Sequence, residues 1–218
     1  MREQAIEFTR SSGVLPSIKL QQEENLLPYV QAMYEAGARV VEVTMTTPGA
    51  LNAFSAIASH FGDKVLAAAG TVLTASAAHA AILAGARVIV SPAVVPEVIE
   101  TAKTYGVACY AGAFTATECL AALRCGADMV KIFPAALGGP RYMLNLRMVF
   151  PQIRLIPSGG ITPETAGEFI RCGADAISGA RNFMDRQMVE RHGLKWITER
   201  IAAYIAIVAQ ARAEQPSR

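Results

Sequence analysis

The chain has 218 residues, 52% of them hydrophobic and 17% charged, with 20 basic against 18 acidic side chains and a net charge of +2. That length and apolar content suffice for a well-filled globular core. The near-balanced charge has no basic stripe, which argues against nucleic acid as a partner, and no run of eighteen apolar residues marks a membrane span.

Residues 1–10, MREQAIEFTR, are charged and amphipathic. They read as an N-terminal helix and lack the apolar centre of a signal peptide, so the expected location is cytoplasmic. Residues 14–19 (VLPSIK) read as a first strand ending on Lys19, and an amphipathic stretch follows over 23–34. At Ala36 begins AGARVVEV: a small residue, glycine, alanine and a charge, running straight into a strand. The same beat recurs as AGARVIVS from Ala84, CGADMVKI from Cys125 and CGADAISG from Cys172. Each glycine suits the left-handed position that ends a helix. Further strands are predicted at 65–72, 107–112 and 153–160. Amphipathic stretches lie at 47–61, 75–83, 96–105, 115–123, 139–149 and 162–170, many opening on Thr or Pro as helices do. Residues 195–213 read as a closing helix.

Eight strands alternating with helices predict a parallel sheet. Eight units predict an α/β fold of the closed (β/α)8 type, a TIM barrel with an N-terminal helix, occupying 1–218 as one domain. An open doubly wound sheet is the alternative, but no G-x-G-x-x-G follows the first strand. The four cysteines (Cys109, Cys119, Cys125, Cys172) form no C-x-x-C pair and read as reduced, buried small hydrophobes. The three histidines, His60, His79 and His192, join no ligand cluster, so neither a metal site nor a Ser-His-Asp triad is expected.

The repeat aligns Glu42, Val90, Lys131 and Ser178 at its seventh position, on the even-numbered strands. Alternate strands of such a barrel feed one interior layer. Glu42 and Lys131 should therefore share a layer inside the barrel. A buried ion pair is one reading. The other is a Lys amine that attacks a carbonyl to form a Schiff base, with a carboxylate beside it to move protons. Burial favours the neutral amine and a neighbouring carboxylate favours the ammonium, so the two effects compete. Polar and glycine residues at the strand ends mark the face where barrel active sites form: Lys19, Thr44, Thr46, Thr71, Ser91, Pro92, Phe133 and Ser158. Gly159 and Gly160 precede a helix start and suit close approach of an anion, or simply a tight turn. Ser178-Gly179-Ala180-Arg181 lies beside that position, with Arg181 readable as an anion ligand or a solvated surface residue.

Five motifs stand in order along the chain: Glu42-Val43-Thr44, Gly70-Thr71-Val72, Val90-Ser91-Pro92, Lys131-Ile132-Phe133-Pro134 and Ser158-Gly159-Gly160-Ile161. Together they resemble the 2-keto-3-deoxy-6-phosphogluconate / 4-hydroxy-2-oxoglutarate aldolase family. The resemblance implies a class I carbon–carbon lyase, free of metal and cofactor, acting as a homotrimer on a small keto acid. It implies that Lys131 forms the Schiff base and Glu42 is the general acid/base. Thr71 and Pro92 would line the pyruvate end, with Phe133 near the imine and Gly159, Gly160 and Gly179 toward the distal end. Lys19 stands where many members have Arg, and Thr46 where some have an Arg on the pyruvate carboxylate. Ala180 replaces a phosphate-binding Ser, and Ala68-Ala69-Gly70 the usual Gly-Ala-Gly. The expected substrate is 2-keto-3-deoxy-6-phosphogluconate. The alternatives are its 6-phosphogalactonate counterpart, 4-hydroxy-2-oxoglutarate, a phosphate-binding barrel of another activity, or a sugar-phosphate-binding protein without catalysis.

Overall fold

A computed structural model describes residues 1–214. Eight strands alternate with helices: β1 (Val14–Ile18), β2 (Val40–Thr44), β3 (Leu66–Gly70), β4 (Val88–Ser91), β5 (Ala108–Ala113), β6 (Met129–Ile132), β7 (Leu155–Pro157) and β8 (Ile177–Gly179). Helix α1 (Arg2–Ser12) precedes them. Between them run α2 (Leu27–Glu35), α3 (Ala50–Phe61), α4 (Ala75–Leu83), α5 (Pro96–Thr104), α6 (Ala116–Cys125), α7 (Ala135–Val149) and α8 (Pro163–Arg171). The chain then adds α9 (Arg186–His192) and α10 (Lys195–Ala213).

All the strand pairings are parallel, and β1 pairs with both β2 and β8. A single bridge, Ser158 to Ser178, links the last two strands. The sheet therefore curls into a nearly closed (β/α)8 barrel, not an open sheet. The four repeat glycines take left-handed backbone: φ is 108° at Gly37, 110° at Gly85, 89° at Gly126 and 101° at Gly173. A Cβ is costly in that region, which explains why the beat carries glycine every time.

The boundaries depart from expectation where backbone chemistry intervenes. The strand expected over 153–160 shrinks to Leu155–Pro157, because Pro157 has no N–H to donate and Gly159 and Gly160 turn to positive φ. The helix expected over 139–149 starts at Ala135, and Gly139 (φ 69°, ψ 179°) splits it into two pieces. The helix expected from 23 starts at Leu27, with Pro in its first turn. The short α9 was not expected at all; Asp185 caps it, accepting from the N–H groups of Gln187 and Met188.

Strand alternation sends one side-chain set outward onto the helices and the other into the barrel. The inner set builds a stack containing Leu15, Ala68, Tyr110 and Ile156, all buried. Helix α1 closes the barrel's N-terminal end. Its Ala5 and Ile6 join the inner cluster, and Thr9 Oγ1 meets the buried Tyr110 hydroxyl at 2.8 Å. Arg2 pairs with Asp128 at 2.5 Å and Arg10 with Asp175 at 3.4 Å. With that end plugged, the strands' C-terminal ends form the open face. Among the described residues no helix is long and apolar enough to cross a membrane.

Candidate active site

The open face holds a cavity of about 470 Å³ lined by the C-terminal ends of the strands and the loops after them. Its floor is the layer foreseen from the repeat. Glu42 (β2) and Lys131 (β6) face each other across the barrel, and Lys131 Nζ donates to Glu42 Oε2 at 2.9 Å. The side chains are 4% and 11% exposed. Two steps along the odd strands from Leu15, Ala68, Tyr110 and Ile156 come Ser17, Gly70, Gly112 and Ser158. Ser17, Gly112 and Ser158 line the cavity, and Gly70 lies against the Glu42 side chain. Small residues here keep the mouth open, where larger ones would fill the barrel as they do below.

At two of these positions a Cβ would collide, for distinct reasons. A Cβ on Gly70 would run into the Glu42 carboxylate and lie 2.7 Å from its Cγ and Cδ. A Cβ on Gly112 would overlap the backbone carbonyl of Pro92 and lie 2.6 Å from Ala93 N. Gly70 therefore makes room for the carboxylate, and Gly112 lets the loop carrying Pro92 fold over the rim.

Thr71, next after Gly70, has φ +58°. A β-branched residue is strained there, by about 1–3 kcal/mol, and Thr71 lines the cavity. Strain held at a rim position is a mark of a built site rather than a generic turn. Phe133 is half exposed, and its ring covers the place where a Gly159 Cβ would lie, 3.0 Å away. Gly159 (φ 87°) and Gly160 (φ 76°) form the turn out of β7. Helix α8 behind them is self-capped: Thr162 N–H donates to Thr165 Oγ1 at 3.0 Å.

Of the ten site residues expected, Lys19, Glu42, Thr71, Pro92, Lys131, Phe133, Gly159, Gly160 and Gly179 line this one cavity. Thr46 does not. It is exposed and points at the rim, its Oγ1 3.0 Å from Thr44 Oγ1, while Thr44 lines the cavity. Thr47, buried behind, accepts from Leu20 N–H at 3.2 Å and so ties this loop to the end of β1.

Ser158 and Arg181, singled out at the strand ends, line it as well, and the structure adds Ser17, Gly112 and Asn182. Ser17 and Gly112 were legible in principle, since strand alternation places Ser17 two before Lys19. Asn182 was not, because it reaches the cavity only through the turn after β8. The buried hydroxyls of Ser17 and Ser178 have no hydrogen-bond partner among the described residues. The described residues contain no group of three or more His, Cys, Asp or Glu side chains able to hold a metal.

Comparison with known proteins bears on this arrangement. Residues 6–200 match the family model described as KDPG and KHG aldolase. The chain is 38% identical over 170 residues to 2-dehydro-3-deoxy-6-phosphogalactonate aldolase of Escherichia coli, covering 77% of this chain and 83% of the relative. It is 38% identical over 158 residues to 2-dehydro-3-deoxy-phosphogluconate aldolase of Treponema pallidum, covering 72% and 75%. Among solved structures it resembles KDPG aldolase from Legionella pneumophila, with pyruvate captured as a covalent carbinolamine intermediate: TM-score 0.81, 28% identity, 94% of this chain and 98% of that one.

Proposed function

The chain belongs to the KDPG and KHG aldolase family, and we propose that it is a class I aldolase that cleaves a 2-keto-3-deoxy sugar acid to pyruvate and an aldehyde through a Schiff base on Lys131. The observation that carries this is the Lys131–Glu42 contact of 2.9 Å at the floor of an open cavity. As structure alone, a buried pair of this kind contributes little, because desolvation offsets attraction. As machinery it joins a nucleophile to a proton carrier.

The steps follow from that geometry. Lys131 passes a proton to Glu42, and its free amine attacks the C2 carbonyl. Glu42 gives that proton to the carbinolamine hydroxyl, which leaves as water and gives the iminium. Glu42, as carboxylate, takes the C4 hydroxyl proton, the C3–C4 bond breaks, and its electron pair moves into the iminium to give an enamine. The aldehyde leaves, for example glyceraldehyde 3-phosphate. A proton returns to C3, and water hydrolyses the imine to release pyruvate and Lys131. Each proton transfer is handled by these two side chains, and the iminium takes up the electron pair of the breaking bond, so the steps as written call for no metal or cofactor.

We assign Thr71 and Pro92 to the pyruvate end, Phe133 beside the imine, and Gly159, Gly160 and Gly179 to the distal end, with Lys19 at the rim. Thr46 acts on the pyruvate end only through Thr44. The favoured substrate is 2-keto-3-deoxy-6-phosphogluconate. The 6-phosphogalactonate counterpart is the second reading, favoured by the likeness to the Escherichia coli relative; paired kinetics on the two C4 epimers separates them. One barrel domain, a homotrimer and a cytoplasmic location follow from the family resemblance, and four free thiols agree with a reducing compartment.

The test is borohydride reduction in the presence of pyruvate, followed by peptide mass mapping. A reduced pyruvyl adduct on Lys131, lost in Lys131→Met, is the expected result. An adduct on another residue, or none, overturns the proposal.

A further inference from the structure

Two buried hydroxyls, those of Ser17 and Ser178, have no hydrogen-bond partner among the described residues. A buried hydroxyl left unpaired is costly, and native structures keep few of them. The settings of the two differ. Ser178 stands in register with Leu15 on β1 and Ser158 on β7, neither of them charged. Ser17 is 4% exposed and lines the cavity, and its Cα partner on β2 is Glu42. In-register residues of neighbouring strands point to the same face, and the strands lie about 4.7–4.9 Å apart. The Ser17 side chain therefore stands beside Glu42 on the cavity side.

On its other flank Glu42 lies against Gly70, where its Cγ and Cδ fill the space a Cβ would take. Lys131 Nζ donates to Glu42 Oε2 at 2.9 Å, and among the described residues the carboxylate receives no other hydrogen bond. That bond cannot serve the whole reaction. Once Lys131 is an iminium, its nitrogen keeps one N–H in place of three. Glu42 must then turn toward C3 and the C4 hydroxyl, which lie on the substrate beyond Nζ. The carboxylate needs another hold, and Gly70 has no side chain to give one. The Ser17 hydroxyl suits the task. It donates to a carboxylate and accepts from a carboxylic acid, so it serves Glu42 in both protonation states through which the reaction takes it. An ammonium only donates.

We infer that Ser17 is a positioning residue for Glu42. It is idle while Lys131 holds the carboxylate, and it hydrogen-bonds Glu42 once Lys131 is committed to substrate. The change is a turn about χ1 between staggered positions, so the backbone stays in place. This explains why the hydroxyl is unpaired while the Lys131–Glu42 pair is intact. It rests on the aldolase reading of the same site.

The experiment compares the unsubstituted enzyme with Ser17→Ala. The readings are borohydride trapping of pyruvate on Lys131, exchange of the pyruvate methyl protons in deuterated water followed by NMR, and single-turnover cleavage of whichever C4 epimer the unsubstituted enzyme cleaves faster. In the exchange, Glu42 takes a C3 proton from the pyruvate iminium and the electron pair moves into the iminium to give the enamine. A deuteron then returns from Glu42 to C3. The exchange therefore reads the carboxylate after the imine has formed. Ser17→Ala should leave the extent of trapping and the half-saturating substrate concentration within about threefold of the unsubstituted values. It should slow exchange and cleavage at saturating substrate together by about 10- to 100-fold, the effect of losing one hydrogen bond to a charged group. Tm should not fall, because the hydroxyl removed had no partner. Exchange or cleavage within about threefold of the unsubstituted enzyme overturns the inference. So does a loss of trapping or of Tm that keeps pace with them, which makes Ser17 a packing residue. If the unsubstituted enzyme leaves no pyruvate on Lys131, the aldolase reading falls and this inference with it; normal trapping with unslowed exchange removes this inference alone.

Discussion

Replacing Gly70 by Ala tests whether the ion pair at the cavity floor is working geometry. Gly70 has no positive φ, so the methyl adds no backbone strain and acts on its neighbours alone. It would sit 2.7 Å from Glu42 Cγ and Cδ, too close for any real contact. Glu42 must swing away from a strand neighbour that cannot yield. Its carboxylate now lies 2.9 Å from Lys131 Nζ. At an effective dielectric of about 20 that attraction is about 6 kcal/mol, and it falls to about 4 kcal/mol if the swing opens the pair to about 4.5 Å. Regained solvation offsets most of the lost attraction, so the overpacking sets the destabilisation at about 1–3 kcal/mol, seen as a Tm lower by about 2–4 °C per kcal/mol. The catalytic effect should be larger in proportion, because a carboxylate misplaced by about 1 Å costs about 10²-fold in rate. The assay is pyruvate release under saturating substrate, with borohydride trapping to report imine formation separately. A variant that folds and keeps kcat within about threefold of the unsubstituted enzyme would show that Glu42 need not sit where the structure holds it.

Two further outcomes are expected away from the floor. Gly167→Ala in α8 places its Cβ at ordinary contact, 3.4 Å from an Arg171 guanidinium nitrogen and 3.5 Å from Ile207 Cγ2. Better helix propensity should then stabilise the protein by up to about 1 kcal/mol, raising Tm by about 2–4 °C in thermal unfolding; a drop would mean that this part of the α8–α10 contact has no slack. Burial pushes the Cys109 thiol up to about 12 and the Cys119 thiol up to about 11. Both should resist alkylation at pH 8 in the folded protein. The unfolded thiols ionise near 9 while the folded ones stay protonated, so folding stability is lost as pH rises from about 9 toward those values. Denaturant midpoints at pH 8 and pH 10 check the sign, and an unchanged or higher midpoint at the upper pH refutes it.

Much of this site was readable before any coordinates because barrel strands are periodic. Period two along a strand and alternation between strands place Glu42 and Lys131 in one layer, and the structure joins them. The same periodicity reaches Ser17 and Gly112, which a residue-by-residue search passes over because serine and glycine look ordinary in a strand. For Thr46 the sequence leaves the contact open: its place just beyond a strand suggests a ligand, and the turn after β2 buries Thr44 and Thr47 and leaves Thr46 exposed with its hydroxyl on that of Thr44.

What the sequence by itself determined is whatever local periodicity and backbone preference control: the alternation of strands and helices, the left-handed glycines that end helices ahead of the even strands, and the layer shared by the reactive pair. What only the tertiary structure decided is whatever depends on elements far apart in the chain. The plug at the barrel's lower end needs Tyr110 to meet Thr9. The empty volume above the floor needs Gly70 to yield to Glu42 and Gly112 to yield to the Pro92 backbone. The turn after β8 and the loop after β7 are tied together only because Tyr204 on α10 packs on Phe183 and donates to the carbonyl of Ile161. Each of these is a contact between side chains whose separation along the chain leaves no local trace, so it becomes visible only once the barrel has closed.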